Sequence, residues 1–190
     1  MGLPNQGLQI LYEILNESPI AEAERAYAPW VDLEEIMRRE RIPLFSVDTH
    51  RPANEFDVIA FNLSSELVYT NLINCLDLAG VPVMSSDREN MHPVIGAGGH
   101  CVYNPEPLAD IVDFFALGDG EEVVSDITEV MHRFKSSEGI LHNRQELLFE
   151  LSKIEGVYVP SMYTATYDMN GAQTLKPIND EVPKLIEKRT

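Results

Sequence analysis

Residues 93–122, P-V-I-G-A-G-G-H-C-V-Y-N-P-E-P-L-A-D-I-V-D-F-F-A-L-G-D-G-E-E, hold two short apolar runs that each stop at glycine. Residues 94–97 end at Gly98-Gly99, and residues 114–117 end at Gly118-Asp119-Gly120. A short apolar run bounded by glycine has the pattern of a strand buried on both faces, as parallel strands are. Glycine at its end lets the backbone take positive φ and lets another group approach the main chain closely. Ligands of open α/β sheets lie beyond the carboxyl ends of the strands, so two such loops point to one crevice. Plain turns use glycine in the same way, and local pattern alone leaves both uses open.

The remainder of the chain alternates strands with helices. Leu8, Leu11, Tyr12 and Leu15 lie on one helical face that ends near Asn16 and Pro19. Residues 21–28 are expected as a strand, broken by Pro29-Trp30. Asp32 is expected to cap the next helix, with Glu35 in the capping-box position. A short strand is expected at 44–47. The run F-D-V-I-A-F-N-L at 56–63 is the clearest strand of the first half and leads into Ser64-Ser65. A helix over 66–79 follows, with Leu67, Val68, Leu72, Cys75, Leu76 and Ala79 in its buried stripe and Gly80 past its end. Residues 81–84 are a further candidate strand. Val123, Val124, Ile127, Val130, Met131 and Phe134 mark an amphipathic helix after the second glycine loop, and another covers 144–153.

This alternation predicts an α/β fold with a mainly parallel sheet flanked by helices. After Lys153 the pattern changes. Residues 157–159 and 162–168, the turn Asn170-Gly171 and residues 172–175 read as a small C-terminal β-hairpin. Residues 176–190 have the composition of a linker. The expected division is 1–155 for the α/β domain and 156–190 for hairpin and linker. Only residues 3–6 precede the first helix, too few for an opening strand, so the sheet is expected to have an exposed edge.

Composition excludes several function classes. Among 190 residues, 44% are hydrophobic, which suits a globular core. The net charge of −17 repels phosphate backbones, so no nucleic acid is expected as a partner. No apolar run reaches the ~20 residues of a membrane helix. Met1-Gly2-Leu3-Pro4-Asn5 lacks the features of a signal peptide, and Cys75 and Cys101 are the only cysteines. A cytoplasmic protein is the expectation.

Chemistry-bearing groups are sparse. His50, His92, His100, His132 and His142 have no zinc-site spacing. His132 falls within a helix and reads as structural, whereas His100 follows Gly98-Gly99 and is the one histidine in the expected crevice. Cys101 reads as a packed thiol. No G-x-S-x-G, P-loop or H-E-x-x-H occurs, and G-A-G-G lacks the G-x-G-x-x-G spacing. Glu121 and Glu122 suit the first turn of a helix better than a metal loop.

Several segments resemble, in order, a family of cobalamin-binding-type radical S-adenosylmethionine (SAM) proteins. They are G-L-Q-I-L-Y-E-I-L-N (7–16), E-R-A-Y-A-P-W (24–30), I-P-L-F-S (42–46) and Y-T-N-L-I-N-C-L-D-L-A-G (69–80). G-G-H-C-V-Y-N-P-E-P-L-A-D (98–110), G-D-G-E-E (118–122) and G-V-Y-V-P-S-M-Y (156–163) complete the set, which spans almost the whole chain. The resemblance implies a Rossmann-like N-terminal domain that precedes a radical SAM barrel and holds, or once held, cobalamin at the strand carboxyl ends. It implies Gly98, Gly99, His100, Gly118, Asp119 and Gly120 as ligand-facing, with Ser64 and Ser65 lining the same crevice.

The chain departs from that pattern in three ways. It has no C-x-x-x-C-x-x-C, so an iron–sulfur cluster and S-adenosylmethionine belong to the barrel, supplied in cis or in trans, and this chain is expected not to be catalytic alone. The segment that carries the family's first strand and following loop is expected to be lacking apart from Asn5-Gln6-Gly7, and D-x-H-x-x-G is not found. The alternative to a cobalamin domain is a cofactor-free interaction or scaffold domain. That domain would dock a radical SAM partner, or a second copy as a homo-oligomer, through the exposed sheet edge.

Overall fold

Three parallel strands, β1 (Val58–Asn62), β2 (Val94–Gly98) and β3 (Phe114–Ala116), form the centre of the computed structural model. A short fourth strand, β4 (Val157–Tyr158), runs antiparallel to β3, giving the order β1-β2-β3-β4. The structure describes residues 5–135, 143–171 and 173–190. Five α-helices occur among them: α1 (Gln6–Glu17), α2 (Val31–Glu40), α3 (Tyr69–Ala79), α4 (Gly120–Phe134) and α5 (Arg144–Leu151). A separate antiparallel hairpin pairs β5 (Tyr163–Tyr167) with β6 (Gln173–Pro177). The fold is therefore the expected α/β sheet with a C-terminal hairpin.

The central apolar runs are explained by two core layers. Successive residues of a strand face opposite sides of the sheet. Ile95 and Phe115 enter one layer with Met37 of α2 and Leu72 and Leu76 of α3. Their neighbours Val94 and Phe114 enter the other, with Val123 and Ile127 of α4 and Leu147 and Leu151 of α5. Full burial of a side chain such as Phe115 contributes about 1.5–3 kcal/mol. Gly96 is required by this packing, since a Cβ there would fall 2.3 Å from the Phe114 ring.

Helix ends follow side-chain chemistry. The Asn5 side chain accepts from the Leu8 amide at the start of α1, and Asn143 accepts from Glu146 at the start of α5. Trp30, not Asp32, occupies the cap position of α2. Asp32 and Glu34 lie in its first turn, where carboxylates complement the helix dipole. Glu34 receives the Asn74 side chain, and Arg38 reaches both Asp77 and Asn74, which ties α2 to α3 in a parallel alignment.

Several sequence expectations fail locally. Residues 21–28 form no strand; Arg25 pairs with Asp48, and Glu24 accepts from the Ser46 and Thr49 hydroxyls, so side chains rather than a neighbouring strand hold the segment. Residues 44–47 reduce to a single bridge between Phe45 and Pro52. Residues 81–84 are not a strand, because the Arg88 guanidinium takes the Pro82 and Val83 carbonyls. Residues 157–158 join the central sheet instead of the hairpin. The helix expected from residue 66 opens as a 3-10 turn, Glu66–Val68, before α3, and this tighter turn leaves Leu67 facing solvent instead of in the buried stripe.

The segment read as linker is docked. Val182 is buried in the second core layer, the Tyr163 hydroxyl donates to the Pro183 carbonyl, and Arg189 bridges to Gly118. His142, Ala172 and part of the 3–6 segment lie outside the described residues. Among the described residues, no helix is long and apolar enough to cross a membrane.

Candidate functional site

The expected crevice divides into two unequal halves. On the β1–β2 side, the ladder continues past the strands, with Leu63 N–H donating to Gly98 O at 2.7 Å and Cys101 N–H to Leu63 O at 3.0 Å. These bonds bring the loop after β1 against the loop after β2. Ser64 and His100 are exposed there, and the Ser65 hydroxyl is used locally, accepting from the Leu67 amide. A Cβ added at Gly98 would meet nothing closer than Ala116 O at 3.9 Å, so open space lies above this residue. Gly99 differs. Its φ is 105°, and an added Cβ would lie 2.7 Å from Asn62 Oδ1 and 2.8 Å from Leu63 O, so the chain itself explains the glycine.

Cys101 sits beside Glu66 and Tyr69 under this loop. Partial burial raises the Cys101 thiol above its ordinary pKa, and the Glu66 carboxylate adds to the effect. Tyr69 is raised by burial first and by Cys101 second. Both groups stay protonated near neutral pH, which does not suit a nucleophile.

On the β3 side the glycine loop is occupied by the protein itself. Gly118 has φ 102°, and an added Cβ would fall 2.0 Å from the Arg189 carbonyl oxygen. Arg189 N–H donates to Leu117 O at 2.9 Å, and Asp119 N–H donates to Arg189 O at 3.1 Å. The Arg189 guanidinium then pairs with Asp126 and Glu122 on α4. Gly120 accommodates Leu11 of α1, whose Cδ2 would be 3.0 Å from an added Cβ. Asp119 stands at the cap position of α4 without a side-chain capping bond.

The structure thus brings Ser64, Gly98, Gly99 and His100 together, places Gly118 and Asp119 against Arg189, and sets Gly120 against Leu11. Among the described residues no group of three or more His, Cys, Asp or Glu is arranged to hold a metal ion. A cleft of about 560 Å³ lies elsewhere, between α4 and the turn at Lys153, and does not include the glycine loops.

Two features escaped sequence reasoning. One is Arg189, for which a charged tail carried no local signal. The other is buried Asp113, which pairs with Arg88 at 2.9 Å and Arg144 at 2.7 Å and also accepts from the Ile95 amide. A carboxylate immediately before the apolar run 114–117 was the available clue.

Comparison with known proteins adds one finding. A family model described as "Radical SAM proteins, N-terminal" matches residues 7–160. No curated protein and no solved structure matches the chain. The matched region contains both glycine loops, the central sheet and, apart from Gln6 at the start of α1, the five helices described above. The chain belongs to the family of N-terminal domains of radical SAM proteins.

Proposed function

We propose that this chain is the Rossmann-like, cobalamin-binding-type domain of a radical SAM enzyme, itself non-catalytic, which presents a cofactor or reaction partner to a barrel in cis or in trans. The observation that carries the reading is the open space above Gly98 at the strand carboxyl ends, flanked by Ser64 and His100. These residues fit a ligand that approaches the β1–β2 loops. Gly118, Asp119 and Gly120 do not fit the same ligand, because Arg189 and Leu11 fill the space that the glycines leave.

Cobalamin, when bound, would supply the cobalt-centred chemistry that side chains lack. The residues of this chain would bind and orient. Gly98 lets the ligand approach the main chain, while the Ser64 hydroxyl and the His100 imidazole offer polar contacts. Titration of the purified chain with hydroxocobalamin, read from the visible spectrum, tests the reading. Saturable binding that weakens in Gly98→Leu supports it, and a spectrum unchanged at sub-millimolar ligand overturns it.

A second reading, a cofactor-free docking domain, is favoured by one specific observation. Large apolar side chains at the cap of α2 and in the turn before α3 face solvent. Leu67 is 86% exposed and Trp30 is 78% exposed. Contiguous exposed apolar surface marks interaction sites, and these two side chains are the candidates for it. Sedimentation of the chain with a radical SAM barrel taken from a family member would show a complex that Leu67→Asp weakens. Failure to form that complex at micromolar concentrations argues against this reading.

A further inference from the structure

In the C-terminal hairpin, β5 and β6 pair only with each other, and Thr164, Ala165, Thr166 and Tyr167 are all exposed. A two-stranded sheet is marginal on its own, and each of its edges offers main-chain groups to another strand. The register fixes which groups those are. Ile178 N–H donates to Met162 O at 3.0 Å, and the ladder goes on to pair Thr164 with Lys176 and Thr166 with Thr174. Bonded and non-bonded pairs alternate along an antiparallel ladder, so the even-numbered residues of β5 bond to β6. The main-chain groups of Ala165 and Tyr167 turn to the outer edge, where they have no partner among the described residues.

The two edges of the hairpin differ. β6 carries Lys176 and Pro177, which protect an edge, whereas β5 has neither a charge nor a proline. The β5 sequence, Y-T-A-T-Y, reads the same in both directions. Two copies laid antiparallel about a two-fold axis at Ala165 would therefore match each residue with its own kind. Ala165 meets Ala165, Thr164 meets Thr166, and Tyr163 meets Tyr167. Aromatic pairs and threonine pairs directly opposite one another stabilise antiparallel sheets. Tyr163 is already held, with its ring 5.2 Å from that of Tyr158 and its hydroxyl donating to Pro183 O, so an incoming Tyr167 loses little by ordering it.

We propose that the outer edge of β5 pairs with the same edge of a second copy, which joins two hairpins into one antiparallel sheet of order β6-β5-β5-β6. A two-fold interface requires a self-complementary patch, and the palindromic strand supplies it. Local charge permits the contact. Between Tyr163 and Pro177 the only charged residues are Asp168 and Lys176, one of each sign. The net charge of −17 on each chain acts from farther away, and physiological salt screens it beyond about 8 Å. The edge is 5 residues long. Stable interfaces use roughly 20–30 residues a side, so this dimer should form only at about 0.1–1 mM. Neither Gly98 nor Leu67 takes part, so the pairing stands apart from both cofactor binding and barrel docking.

Sedimentation of the full chain over that concentration range, together with amide exchange, tests the proposal. The expected result is a dimer that slows exchange at Ala165 and Tyr167 and tightens as salt is raised. Ala165 lies on the two-fold axis, so Ala165→Lys sets two like charges side by side and should weaken the dimer about fivefold. Ala165→Glu should do the same. An equimolar mixture of the two variants should recover the dimer, because the mixed pair has opposite charges on the axis. The side chain at 165 is exposed, so both variants keep the fold of the single chain, which circular dichroism checks. A chain that stays monomeric at about 1 mM overturns the proposal. A dimer that Leu67→Asp weakens and Ala165→Lys leaves intact also overturns it, as does a mixture that associates no better than either variant alone.

Discussion

The Arg189 backbone lies across Gly118 so closely that its carbonyl oxygen takes the place of a side chain, 2.0 Å from where a Cβ would stand. Gly156 supports the same crossing from below, with φ 81° and an added Cβ 3.2 Å from that of Arg189. The glycine that looked like a ligand-approach residue is occupied by a distant part of its own chain. Gly118→Ala should therefore displace the segment around Arg189. The cost should be about 1–3 kcal/mol from backbone strain alone, with more from the clash. Urea denaturation would show the loss, and amide exchange would rise at Asp119 and Arg189, whose N–H groups make the two crossing bonds.

Asp113 holds two guanidinium groups in a nearly dry site; its side chain is 1% exposed, and that of Arg88 is 0% exposed. Burial pulls Arg88 below its ordinary pKa, and the Asp113 carboxylate opposes that shift. Asp113→Ala would leave two buried cations without their counter-ion, a change that costs about 3–5 kcal/mol. Chemical denaturation should show a large drop in midpoint. An Arg38→Ala variant, which removes exposed pairs instead, should shift the midpoint far less.

Acid should loosen the segment that replaces the strand expected at 21–28. Hydrogen bonds from Ser46 and then Thr49 lower the Glu24 pKa, and bonds from the Arg25 side chain and backbone lower that of Asp48. A carboxyl group with a depressed pKa in the folded state contributes stability above its unfolded value and loses it as pH falls through the folded value. The contribution should be complete above about pH 5 and disappear below the ordinary carboxylate range. Amide exchange at Arg25 and Val47, whose N–H groups bond to Asp48 and to Arg25 O, should accelerate on that descent.

The two thiols should separate by reactivity. Burial pushes Cys75 up to about 11, inside the α3 stripe, while Cys101 is only half-buried and raised less. A thiol reagent applied to the native chain at mildly alkaline pH should modify Cys101 first. Cys75 should react only at the rate of unfolding, and mass spectrometry of the labelled peptides would read the order.

Tyr158 links the central sheet to the hairpin through one carboxylate. Its hydroxyl donates to Glu106 at 2.7 Å, and Gln173 of β6 donates to the other oxygen at 2.7 Å. Burial, followed by the bond to Glu106, raises the Tyr158 pKa strongly. Tyr158→Phe should cost about 1 kcal/mol and increase exchange in β6.

Much of the α/β order was legible in the sequence. Val94-Ile95 and Phe114-Phe115 are apolar on both faces because each strand lies between two helical layers, and that requirement is written in consecutive residues. Ser64, Gly98, Gly99 and His100, which the family resemblance implied, lie near one another because the carboxyl ends of adjacent parallel strands lie side by side. The hairpin turn at Asn170-Gly171 and the stripes of α3 and α4 also depend on spacing within a few residues. Tertiary structure alone decided which glycines are open. Gly98 and Gly118 carry the same local signal, yet one faces space and the other faces Arg189, a residue far along the chain. Contacts across such separations leave no periodicity to read. The pairing of Asp113 with Arg88 and Arg144, the capture of the Val83 carbonyl by Arg88 and the docking of Val182 belong to the same class, because each depends on where the folded chain returns.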